Sequence, residues 1–192
     1  MRAIVSIRIV LGESNAWEWA AVSPTAHAIM NSELFADLSS RQAQRLDRLA
    51  KRVRFKKGAV LFSAGEAAEH LYVVLEGAVE LRMPVPGWWG IDTPHQKMTT
   101  ARQGQIVGWS ALAEPCVYSL TAVASERCSA ARFEASALRD LMSADLALGN
   151  LVRARALSVV SRRLDTMAEA LLAQRAVMAS QAASRAGAPA YA

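Results

Sequence analysis

The stretch KGAVLFSAGEAAEHLYVVLEGAVELRM, residues 57–83, decides the fold. Gly58, Gly65 and Gly77 cut it into short apolar pieces. Ala59–Phe62 is apolar, Leu71–Leu75 is a continuous apolar run, and Val79, Leu81 and Met83 alternate with Glu80 and Arg82. Alternation with a period of two belongs to a strand whose faces differ, and a short unbroken run belongs to a strand buried on both faces. Glycine between such runs marks a turn.

Working outward, Val53–Phe55 alternates before the first of these glycines, and strand-like runs resume at Met98–Arg102, Leu120–Ala124 and Cys128–Phe133. Residues 84–94, PVPGWWGIDTP, carry three prolines and two glycines. Such a composition is excluded from a sheet interior and predicts a hairpin loop presenting Trp88 and Trp89. Many short strands with regular punctuation predict a sandwich or barrel.

Helices flank this β region. Ser32 can cap a short turn over Glu33–Asp37, and Ser39 can cap a helix over Ser40–Arg52. In that helix Leu46, Leu49 and Val53 form an apolar row, opposite Arg41, Arg45, Arg48 and Arg52. The basic face reads as solvated surface. After the last strand, Glu134–Met142 predicts a short helix, and Ser143 or Asp145 can cap a long one from Leu146 to Gln174. Leu157, Val160, Leu164, Met167 and Leu171 recur at steps of three and four, the spacing of a seam against a partner helix. A homodimer through that seam is expected. Arg153, Arg155, Arg162 and Arg163, interleaved with Asp165 and Glu169, read as its solvated flank.

Composition bounds the function. The 192 residues are 53% hydrophobic and 20% charged, enough apolar material for one real core. Twenty-two basic against 17 acidic residues leave +5, which raises the question of nucleic acid. The residues after Gln174 are mainly alanine, serine and glycine, too few and too small for a reading helix with its scaffold, so no specific DNA partner is expected. Cys116 and Cys128 are too few for a thiolate metal site or a disulfide framework, and His27, His70 and His95 lack ligand spacing. Metal and catalytic roles are therefore not expected. No run of about 18 apolar residues predicts a membrane span. Arg8 interrupts the apolar start, so no signal peptide is read there and a cytoplasmic location is expected.

Three segments follow. Residues 1–30 are an extension: a short strand and helix, a loosely packed arm, or a stretch ahead of a true start at Met30. Residues 31–175 are the domain with its long helix, and residues 176–192 a frayed tail.

The glycines and their flanks together resemble the cyclic nucleotide-binding domain, the module of the catabolite activator protein and of kinase regulatory subunits. The pattern runs through Phe55, Gly58, Val60, Leu61, Gly65-Glu66, Leu71-Tyr72-Val73-Val74, Gly77 and Val79, then Gly104, Gly108, Ser119, Ala124 and Cys128. The resemblance implies a mainly β fold with α elements: a double-stranded β-helix (jelly-roll) barrel flanked by N-terminal helices and a long C-terminal helix. It implies a non-enzymatic sensor for cyclic AMP or cyclic GMP, whose phosphate sits on a short helix, the phosphate cassette. In the family a cassette glutamate accepts from the sugar hydroxyl, and an arginine neutralises the phosphate.

The matching segment here is Gly108, Trp109, Ser110, Ala111, Leu112, then Tyr118 and Ser119. Trp109 stands where the glutamate belongs and Tyr118 where the arginine belongs. An indole has no acceptor and a phenol carries no charge at neutral pH. Hydrogen bonds to charged groups contribute about 1.5–3 kcal/mol each. Loss of both anchors weakens a cyclic nucleotide by orders of magnitude, at about 1.4 kcal/mol per tenfold. The amides of Ser110 and Ala111 remain as a weak anion site, and Trp109 either stacks on a base or fills the pocket. A ligand-free dimerisation or protein-docking module is the rival expectation, and a DNA-associated regulator working through the arginine faces of the first and last helices is the third.

Overall fold

A computed structural model describes residues 23–84 and 95–186. Residues 1–22, the loop with Trp88 and Trp89, and residues 187–192 lie outside the described residues, together with the expectations placed on them.

Eight strands form two antiparallel four-stranded sheets. The first has the order β1–β8–β3–β6 and the second β2–β7–β4–β5. The strands are β1 Lys51–Phe55, β2 Val60–Phe62, β3 His70–Glu76, β4 Val79–Pro84, β5 His95–Ala101, β6 Ile106–Val107, β7 Thr121–Ala124 and β8 Cys128–Glu134. This is the expected jelly-roll. β3 reads as an unbroken apolar run because it is central, between β8 and β6, and its residues Leu71–Leu75 are all buried. Cross-strand partners Leu71 and Phe133 are fully buried, and Phe133 meets Phe35 of the N-terminal turn with ring centroids 5.3 Å apart. Tyr72 instead meets Phe55 and Phe62, the latter from the opposite sheet.

The turn from β3 to β4 needs glycine. Gly77 has φ +79°, and a Cβ there would lie 2.5 Å from the Arg127 carbonyl oxygen. β4 then pairs with β5 from Val79↔Ala101 to Pro84↔His95, so the proline-rich stretch does connect a hairpin.

Two helices precede the barrel, α1 Pro24–Met30 and α2 Ser40–Leu49. Ser39 caps α2 in a reciprocal box with Gln42, as the sequence predicts. The helix stops at Leu49, earlier than Arg52, because Ala50 turns extended and Lys51–Phe55 pairs along its length with β8. Val53 is therefore a strand residue, not part of the helical row, and Arg52 pairs with Glu76 on β3 at 3.1 Å. Arg45 of the presumed solvated face binds Asp145 at 3.1 Å.

α3, Ala135–Ala144, follows β8 directly, and α4 runs from Leu146 to Ala186. Asp145 caps it by accepting from the Leu148 amide at 3.0 Å. The helix passes the expected end at Gln174. It packs one row, Leu148, Val152 and Val159, fully into the core. Leu157, Leu164 and Leu172 are 72%, 66% and 68% exposed.

Candidate ligand pocket between barrel and long helix

The cassette segment begins at a backbone constraint. Gly108 has φ +82°, and a Cβ there would stand 2.7 Å from the His70 carbonyl oxygen. Only glycine permits this approach of the loop to β3. The chain then closes into a 3-10 helix, Trp109–Leu112, in which the Ala111 amide donates to the Gly108 carbonyl at 3.0 Å. That hydrogen bond corrects the expectation of two free amides, since Ala111 already has its acceptor. Ser110 and Ala111 are buried, and Leu112 packs partly against the core. Arg139 of α3 steadies the loop, its Nη1 donating to the Ala111 carbonyl at 2.7 Å and lying 3.8 Å from Cys116 Sγ.

Tyr118 occupies the position that the family resemblance assigns to a cation. It is 4% exposed. Its hydroxyl accepts from the His70 amide at 3.0 Å and donates to the His70 carbonyl at 2.7 Å. Its ring stacks on Phe62 with centroids 3.7 Å apart and planes inclined by 14°. Burial pushes the phenol up to about 12, so it stays neutral. Burial and, next, the Arg132 charge push the neighbouring His70 imidazole below its ordinary value. Tyr118 is thus a neutral aromatic tied to the main chain of β3.

Trp109 does not fill the barrel. Half-buried, it lines an apolar cavity of about 130 Å³ with Leu81 and Met83 of β4, the exposed Ser119, and Leu120. Val160, Leu164 and Met167 of α4 close the other side. The structure therefore brings together two sets of residues that the sequence treats separately, the cassette segment and most of the seam. Leu157 points elsewhere, outside this cavity, and the side chain of Leu171 lies outside the described residues.

Arg163 completes the wall, and the sequence reading misplaces it. It is not a solvated flank: its side chain is 15% exposed. Nη2 donates to Glu33 Oε1 at 3.0 Å and also to the Ile106 carbonyl. Glu33 Oε1 accepts from the Ile106 amide at 2.8 Å, and its Oε2 binds Arg162 at 3.2 Å. Arg155 likewise pairs with Asp37. A legible signal existed, because Arg163 follows the buried Val159 by one helical turn. Beside Arg163 lies a second, polar cavity of about 250 Å³, walled by Glu33, Thr99, Thr100, Gln105 and Thr166 among others. Among the described residues no group of three or more His, Cys, Asp or Glu side chains is placed to hold a metal, and no helix is long and apolar enough to cross a membrane.

Solved structures share this architecture. A Geobacter metallireducens GS-15 protein assigned as cyclic nucleotide-binding is 23% identical, with 74% of this chain and 99% of that chain covered and a TM-score of 0.63. A cyclic nucleotide-binding domain from Methylobacillus flagellatus KT is 21% identical, over 78% of this chain and 82% of that one, with a TM-score of 0.66. The regulatory domain of Toxoplasma gondii PKA, solved with cAMP, is 17% identical, over 70% and 49%, with a TM-score of 0.58. At these identities the likeness is one of fold. No curated protein matches the sequence. The sequence pattern of the cyclic nucleotide-binding domain matches residues 52–145, the segment from β1 to the cap of α4. Residues 52–145 thus match the cyclic nucleotide-binding domain, and they carry nearly all of the jelly-roll together with the cassette loop.

Proposed function

We propose that the protein is a non-enzymatic regulatory domain whose output is the packing of α4 and whose ligand, if a nucleotide, is held far more weakly than the family pattern provides for. One observation carries this reading: the cassette residues Trp109 and Ser119 share a single apolar cavity with Val160, Leu164 and Met167 of α4. Anything that enters or leaves that cavity changes what the helix packs against. The helix in turn offers Leu157 and Leu164 to a second copy, in the seam whose other expected members are Val160, Met167 and Leu171, and the exposure of Leu157 and Leu164 supports a homodimer.

The test has two arms. Titration with cyclic AMP and cyclic GMP, followed by tryptophan emission, is expected to saturate only above about 100 µM, a binding free energy weaker than roughly 5–6 kcal/mol. Tight saturation would show that Tyr118 is not the obstacle it is taken for. Light scattering is expected to give about twice 20.7 kDa. Leu164→Asp is expected to return the monomer, and a monomeric wild-type chain removes the dimer.

A second reading has its own support. Tyr118 is tied to His70 at both polar atoms, and the Ala111 amide is already paired. Both favour a module that docks a protein partner and binds no small ligand. A complete absence of response to the nucleotides, with the dimer intact, is the result this reading expects.

A further inference from the structure

Arg163 carries one nitrogen that the fold leaves without a role. Among the described residues its Nη1 is buried and lacks a hydrogen-bond partner, although Nη2 is engaged by Glu33 and Ile106. A buried charged donor left unpaired is costly, so the fold rewards any acceptor brought to it. The local charge points the same way: Arg162 and Arg163 share one carboxylate, Glu33, and leave one positive charge uncompensated there.

Two cavities meet at this side chain. On one side Thr99, Thr100 and Thr166 offer hydroxyls in the polar cavity of about 250 Å³. On the other side is the apolar cavity of about 130 Å³ beneath Trp109. An apolar space of that order takes one six-membered ring, and a lining of such side chains favours an apolar occupant. A purine with its sugar and phosphate is too large for it. Leu164 lines this cavity beside Arg163 and is 66% exposed, so a rearrangement of its side chain there does not open the core.

We infer that Arg163 anchors a small organic anion, a carboxylate on a single apolar ring, with the carboxylate on the guanidinium and the ring in the cavity under Trp109. The anion is thus gripped from α4 and not from the cassette, whose amide and phenol are already occupied. This names the ligand class for the regulatory reading above and rests on it. Because Leu164 both lines the anion's cavity and belongs to the expected seam, occupancy and dimerisation draw on the same side chain.

Calorimetric titration of the full chain with benzoate and with benzamide, its neutral analogue, tests the assignment. Benzoate is expected to bind at least about tenfold more tightly, the effect of one charge-assisted contact. Arg163→Gln is expected to abolish that preference and leave benzamide unchanged. Should Arg163→Gln fail to fold, Glu33→Gln decides: it keeps an oxygen for the Ile106 amide but releases the guanidinium, so benzoate is expected to bind severalfold more tightly. Equal binding of the two probes, no binding of either, or weaker benzoate binding by Glu33→Gln overturns the assignment. The two readings fail separately. No benzoate preference in a chain that is dimeric and dissociated by Leu164→Asp overturns the anion site alone. A monomeric chain that still prefers benzoate supports the site and overturns the dimer.

Discussion

Two rows of side chains run along α4 and obey different rules. Leu148, Val152 and Val159 are at most 1% exposed and belong to the same core as Phe35 and Phe133. Leu157, Leu164 and Leu172, of the same chemistry on the same helix, are about two-thirds or more exposed. The first row is spent on the fold. The second contributes little to the core, and it is the row that we propose serves a second copy. Apolar residue type alone does not separate the rows; which face meets the barrel does.

The comparison can be broken at the buried row first. Leu148→Ala removes a fully buried side chain and is expected to cost about 2–5 kcal/mol in chemical denaturation. A cost below about 1 kcal/mol would place α4 outside the cooperative core. Next comes the loop that faces the helix. Gly108→Ala forces a side chain into φ +82° against the His70 carbonyl and is expected to cost about 1–3 kcal/mol.

Tyr118→Phe comes third, at about 1–2 kcal/mol, because it leaves the part-buried His70 amide and carbonyl without this partner. This variant also has a pH signature. The folded chain holds the phenol up to about 12, against about 10 for an ordinary tyrosine. The unfolded chain loses the proton first, so this contribution is complete below about pH 10 and is lost as the pH rises towards about 12. Burial also pushes Tyr72 up, so Tyr118→Phe is expected to reduce the alkaline slope of stability and not to abolish it. An unchanged slope would mean that the Tyr118 hydroxyl is wet. The smallest effect on stability sits on the exposed row: Leu164→Asp is expected to change monomer stability by less than about 1 kcal/mol while shifting the scattering mass. A large loss of stability there would erase the distinction between the rows.

Much of the barrel is legible in the chain, for a physical reason. Its strands are short, its turns require glycine at Gly77 and Gly108, and its central strand β3 is uniformly apolar. β6 is not legible, because Ile106 and Val107 are too few to display any period. The end of α2 is not legible either, since Leu46, Leu49 and Val53 keep helical spacing and only the pairing of Lys51–Phe55 with β8 overrides it. At the pocket, residue type correctly shows that Tyr118 brings no charge. It does not show what Tyr118 does instead, because a bidentate grip on the main chain of His70 depends on where β3 starts in space. Arg163 is the clearest miss. A charge-pattern reading assigns arginines on a long helix to solvent, and Glu33, its partner, lies far away in the sequence.

Arg139 links the cassette to the base of α4. It holds the Ala111 carbonyl from α3, and α3 ends at Asp145, the residue that caps α4. A helix of 41 residues at about 1.5 Å per residue is roughly 60 Å long. Leu148, Val152 and Val159 and the Arg163–Glu33 pair hold its first turns against the barrel, so the base of α4 and the cassette belong to one body. In mechanical terms that body is a socket that takes less than half of the helix, and the remaining turns are a mast standing in it.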